Sequence, residues 1–67
     1  MRLLEILKLF DESNTTITVE TSCYNFVKNI TIEDFYKDRF LFERSTEMVV
    51  TSAYPIGENK MLFLVRQ

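Results

Sequence analysis

The residues able to do chemistry in this chain are few, and what they lack decides more than what they offer. There is no histidine, so neither a Ser/His/Asp triad nor a Cys/His pair can be built. The one cysteine, Cys23, has no second thiol for a disulfide or a zinc site. As a nucleophile it would need a group that stabilises the thiolate, and Lys28 is the nearest base in sequence; as a small turn or core residue it needs nothing. One glycine cannot make a phosphate-cradling loop. Asp34 and Asp38 stand four apart with Glu33 beside them, a spacing that places two carboxylates on one helix face. Such a pair could hold Mg²⁺ for a nicking reaction, or be a solvated acidic face interleaved with Lys37 and Arg39. No cofactor is expected and no metal is assigned.

A second pattern is aromatic and basic. Tyr24, Phe26 and Lys28 alternate along one predicted strand, and with Arg39 and Arg44 they could form a surface for single-stranded nucleic acid. Against this, the basic residues are dispersed and the net charge is −2. Counterion release from phosphates requires clustered Lys and Arg, so nucleic acid is an unfavoured partner. The element order is also not that of an RRM.

The elements that would position these residues follow from periodicity. Residues 2–11 predict a helix with Leu3, Leu7 and Phe10 on one stripe, Ile6 beside it, and Leu9 alone on the polar side. Residues 15–21 alternate as a strand, with Ile17 and Val19 on one face. Residues 24–30 predict a second strand with Tyr24, Phe26 and Ile30 on one face and Asn25, Val27 and Asn29 on the other. Thr31 is a good N-cap, followed by Glu33 and Asp34 in the first turn of a helix running to Arg39 or Phe40. Residues 47–66 predict a β-hairpin around a turn at 55–59, supplying the middle of the sheet.

The expectation is therefore one α+β domain over 1–67, in the order αββαββ. It has an antiparallel four-stranded sheet with two short helices on one face. Strand 15–21 is a candidate edge for docking by strand addition.

Sixty-seven residues form a core of marginal stability, and neither a disulfide nor zinc is available as a supplement. A partner chain remains. The composition, 46% apolar and 13% aromatic, exceeds what so short a monomer easily hides. The last strand is apolar on both faces, which two short helices cannot cover. Val50, Tyr54, Leu62, Leu64 and the exposed Leu9 are the expected interface residues. The expected partners are a second copy of the chain and another protein; an alternative is a structural subunit or assembly factor whose apolar face is an obligate interface within a larger complex. No run reaches the length of a membrane span. The segment 3–10 is broken by Glu5 and Lys8 and lacks a small-residue cleavage site, so a cytoplasmic location is expected.

The chain also resembles the small orphan accessory proteins of phages, prophages and conjugative elements of Gram-positive bacteria. The resemblance lies in the helix 3–11, Ile17 and Val19, the segment 32–35, the alternating Val50, Ser52, Tyr54 and Ile56, and the apolar run 62–65. Some proteins of that class inhibit host defence enzymes, anti-CRISPR proteins among them. The resemblance implies stoichiometric binding of a host enzyme in the host cytoplasm, with inhibition by surface occlusion and no active site.

Overall fold

The protein, described as a computed structural model over residues 1–66, contains three helices and four strands. The last position of the expected domain lies outside the described residues. In chain order the elements are α1 (Leu3–Leu7), β1 (Thr16–Glu20), β2 (Asn25–Thr31), α2 (Ile32–Lys37), α3 (Arg39–Ser45), β3 (Val49–Gly57) and β4 (Lys60–Arg66). The sheet order is β2-β1-β4-β3.

This corrects the antiparallel αββαββ expectation in two respects. The sheet is mixed, because β1 pairs with β4 in parallel, Thr16 opposite Lys60 through Glu20 opposite Leu64. Each hairpin is antiparallel, as local turn chemistry dictates, but joining them through β1 and β4 puts those two strands at the centre. The 47–66 hairpin thus supplies one central strand and one edge. The strand expected at the edge, β1, is interior and has no free edge for strand addition.

The second correction is the additional helix. A single helix from Thr31 to Phe40 does not form. Thr31 caps α2 as expected, its Oγ1 accepting the Asp34 N–H at 3.1 Å. At Asp38 the backbone turns extended (ψ 104°) and the carboxylate accepts the Leu41 N–H at 3.1 Å, capping a new helix. Aspartate gains more as an N-cap than inside a helix, where its side chain competes for backbone donors. The break also removes the helical spacing that would have put Asp34 and Asp38 on one face.

Helix α1 is half its expected length for a similar reason. The chain tightens at Leu9 and Phe10, whose N–H groups reach Ile6 and Leu7 carbonyls three residues back. Asp11 then accepts from the Ser13 N–H and Oγ and from Asn14 Nδ2. Those bonds, the Ser13 hydroxyl's foremost, hold the Asp11 carboxyl below its usual range. The turn swings Phe10 edge-on to Phe63, centroids 6.1 Å apart.

All helices lie on one face of the sheet. Ile17, Val19, Phe63 and Val65 point into a single core with Leu3, Leu7, Ile32, Phe35 and Met48. Full burial of each large side chain contributes about 1.5–3 kcal/mol. Because β2 and β3 are opposite edges, α2 and α3 carry the chain across this face between them.

Strand β2 departs from the predicted alternation. Two register shifts interrupt its pairing with β1, and Asn29 adopts a left-handed φ of 53°. The Asn29 N–H reaches Thr18 Oγ1 at 3.2 Å, which satisfies that nearly buried hydroxyl. Val27 and Ile30 pair with Val19 and Ile17, so both face the core, and Phe26 packs there too. The expected division of this strand into two faces is therefore wrong. At the other edge, residues 1–3 pair with the start of β3: Leu3 N–H donates to Met48 O, and Val50 N–H to Met1 O.

Candidate functional site

With the helices on one side, the opposite face of the sheet has no covering element among the described residues. Alternation along β1 sends Thr16, Thr18 and Glu20 to it. Alternation along β4 sends Lys60, Leu62, Leu64 and Arg66 there. From β3, Tyr54 stands opposite Leu62 and Ser52 opposite Leu64. Leu62 and Leu64 are half-buried and belong neither to the core nor to the residues packed on it. Tyr54 is 49% exposed, and Ile56 follows it at the second β3 register shift. At one end of the face is a groove of about 330 Å³ whose lining includes Glu20, Thr51, Leu64 and Arg66.

Of the five expected interface residues, Leu62, Leu64 and Tyr54 therefore share one surface. Val50 does not. The register shift after it pairs it with Val65, and it packs against the core. Leu9 is 76% exposed, just past α1. It belongs to the helical side, where a second apolar surface lies.

That second surface was not legible in the sequence. Phe40, at the end of the continuous helix expected from Thr31, is 63% exposed, because the break at Asp38 re-aims everything after it. Leu41 turns inward instead. Phe42 is partly exposed and meets Tyr36 edge-on at 6.1 Å. A groove of about 400 Å³ runs between α1 and these rings, lined by Leu4, Lys8, Glu12, Tyr36 and Phe42. Burial pushes the Tyr36 phenol above its usual pKa, and the Glu12 carboxylate pushes it further. The Arg44 guanidinium lies 5.5 Å from the Phe40 ring centroid. The one available signal was an aspartate in mid-pattern, which is equally an ordinary helix residue on its polar side.

The expected nucleic-acid set is scattered in role. Tyr24 ends the β1–β2 turn, where Thr21 Oγ1 accepts the Cys23 and Tyr24 N–H groups. Phe26 packs against the core. Lys28 is exposed on β2, and Arg39 and Arg44 sit on α3. Among the described residues, no three Asp, Glu or Cys side chains converge in the arrangement a metal ion needs. The Asp38 carboxylate is engaged as a helix cap. Cys23 is exposed with the Ser22 hydroxyl 3.7 Å from its sulfur.

Among the described residues, no helix is long and apolar enough to cross a membrane. Compared with protein-family models, curated proteins and solved structures, the chain matches none of them.

Proposed function

We propose that this chain is a non-enzymatic protein-binding module. The observation that carries the reading is a central strand, β4, that buries Phe63 and Val65 on one side and presents Leu62 and Leu64 beside Tyr54 on the other. Apolar side chains on the outer face of an interior strand stay partly exposed to water at a cost in solubility and add nothing to the helix-covered core. Contact with protein gives them a role. Tyr36 and Phe42 in the groove of the helical side add a second surface with aromatic anchors, the residue type that dominates binding energetics, and Leu9 and Phe40 are further exposed apolar side chains outside its lining.

The specific form comes from the likeness to phage accessory proteins: stoichiometric inhibition of a host defence enzyme, of the anti-CRISPR kind, by occlusion. The helical side is the surface assigned to the target. The test is phage infection of a CRISPR-immune Gram-positive strain expressing the chain. Plaquing by a targeted phage should rise with the wild-type chain. It should fall back with the double variant Leu9→Lys, Phe40→Ser, provided circular dichroism shows that variant folded. Immunity undiminished by the well-expressed wild-type chain would exclude the inhibitor role.

A further inference from the structure

Strand pairing fixes which charged side chains share the open face. Lys60 and Arg66 come to it from β4 and Glu20 from β1. Val27 pairs with Val19 and turns to the core, so its neighbour Lys28 turns to the open side, where it is exposed. The strands thus place three of the chain's eight cations and one of its ten carboxylates on this face. The face carries +2 and the remainder of the chain −4, which together give the net −2. Three more charges stand at the rim. Arg2 bridges to Val49, its guanidinium turned to the Thr46 carbonyl, and Glu47 and Glu58 lie beyond the two ends of β3. Counting all three with the face does not reverse its sign. Among the described residues the one ion pair joins Lys37 to Glu33 on α2, so no carboxylate of the chain is in contact with Lys28, Lys60 or Arg66.

We infer that the open face docks an acidic amphipathic helix of a partner protein. Its apolar side lies on Leu62, Leu64 and Tyr54, and its carboxylates meet Lys28, Lys60 and Arg66. A sheet with an apolar strip on each face is completed by a layer on each, and here the chain supplies helices to one face alone. The cations surround the strip. Lys60 and Arg66 stand at its two ends, six residues apart on β4, about 20 Å, which is the length of about 13 residues of helix. Lys28 lies two strands away from β4, about 10 Å, near the level of Thr18 and Leu62.

Charge separates this occupant from the others. A second copy laid face to face would bring two positive faces together. A nucleic-acid strand would find its cations dispersed, its bases one aromatic ring, Tyr54, to stack on, and the remainder of the chain repelling it. An anionic bilayer would need apolar side chains that reach into it, whereas Leu62 and Leu64 are half-buried between their neighbours. The inference rests on the proposed protein-binding role and gives the chemistry of a partner for the sheet face, leaving the helical surface as a separate contact.

The test is NMR titration of the isotope-labelled full chain with a synthetic helical peptide of about 14 residues, made of Leu, Ala and Glu with its leucines along one side. A counterpart with Lys in place of every Glu and a thymidine oligonucleotide are titrated in parallel. The acidic peptide should bind, shift the amides of β1 and β4 around Leu62 and Leu64, and weaken as salt is added. The lysine peptide should bind at least about tenfold more weakly. The double variant Lys60→Glu, Arg66→Glu should lose about tenfold or more for the acidic peptide, while Phe40→Ser on the helical side should lose nothing. Lys60 and Arg66 are exposed at the ends of β4, so the double variant should fold; the salt series and the lysine peptide decide the matter without it. No binding of the acidic peptide at millimolar concentration would overturn the inference, as would equal binding of the lysine peptide or tighter binding of the oligonucleotide. Shifts confined to the helical side would overturn it too. Inhibition of host immunity by a chain that ignores the acidic peptide would overturn this inference alone; acidic-peptide binding without inhibition would overturn only the inhibitor role.

Discussion

Strands β1 and β4 lie side by side and point the same way, yet they use their two faces differently. Towards the helices they match: Ile17 and Val19 stand beside Met61 and Phe63, and Ile17, Val19 and Phe63 are wholly buried. Away from the helices, β1 presents Thr16, Thr18 and Glu20 while β4 presents Lys60, Leu62, Leu64 and Arg66. Polar alternation on β1 is what solvent asks of an open sheet face. Thr18 completes its bonding inside the chain through the Asn29 N–H. Among the described residues, nothing does the same for Leu62 and Leu64. The difference shows that alternation reports on both faces of a strand, and that a failure of alternation at a central strand points to an unfinished surface.

The largest test of the shared inner face is Phe63→Ala. Truncating a fully buried phenylalanine should cost about 3–5 kcal/mol, most of what a chain of this length holds, and a urea titration should find it largely unfolded. Ile17→Ala on β1 should cost about 2–5 kcal/mol by the same measurement. A near-neutral result at Ile17 would break the equivalence of the two inner faces.

An intermediate effect is expected where the two strands begin. Asn59 holds φ at 56° in the β3–β4 turn, and its carbonyl accepts the Thr16 N–H at 2.8 Å. Thermal melts of Asn59→Val should show a loss of about 1–2 kcal/mol, since a β-branched residue resists the left-handed region. Asn59→Gly should be close to neutral. Equal losses from both substitutions would show that the asparagine side chain matters more than the backbone conformation.

The smallest effect sharpens the contrast of outer faces. Leu62→Thr gives β4 the outer chemistry of β1. Measured in dilute solution, its stability should change by about 0.5 kcal/mol or less, as for an ordinary surface position. A larger loss would mean that Leu62 is part of the fold and that the outer face is less open than β4 suggests.

Much of the local structure could be read from residue order. The Thr31 cap, the alternation of Ile17 and Val19, the Leu3 and Leu7 stripe and the two hairpins depend on neighbours a few positions apart. The pairing of β1 with β4 does not: alternation marks a strand as half-buried but not which strand lies beside it. The bulges of β2 were hidden because Asn29, the residue that takes the left-handed turn, is also an ordinary strand-end residue. Asp38 was misread because a helix face and a helix cap use the same side chain. That misreading had the largest cost, since it concealed Phe40 and Phe42. Leu62 and Leu64 were legible as a surface because their signal, apolar residues at consecutive positions, needs no knowledge of the partner strand.

The parallel junction also bears on the order of assembly. Each hairpin closes a short loop, whereas Thr16 meets Lys60 only after α2 and α3 have crossed the sheet. Closing the longer loop costs more chain entropy, and such non-local pairings slow folding. The two hairpins should therefore form early, with the seam between β1 and β4 closing last. Until it closes, Leu62 and Leu64 lie near an unpaired strand edge, so the newly made chain is most exposed to misassociation just before it is complete.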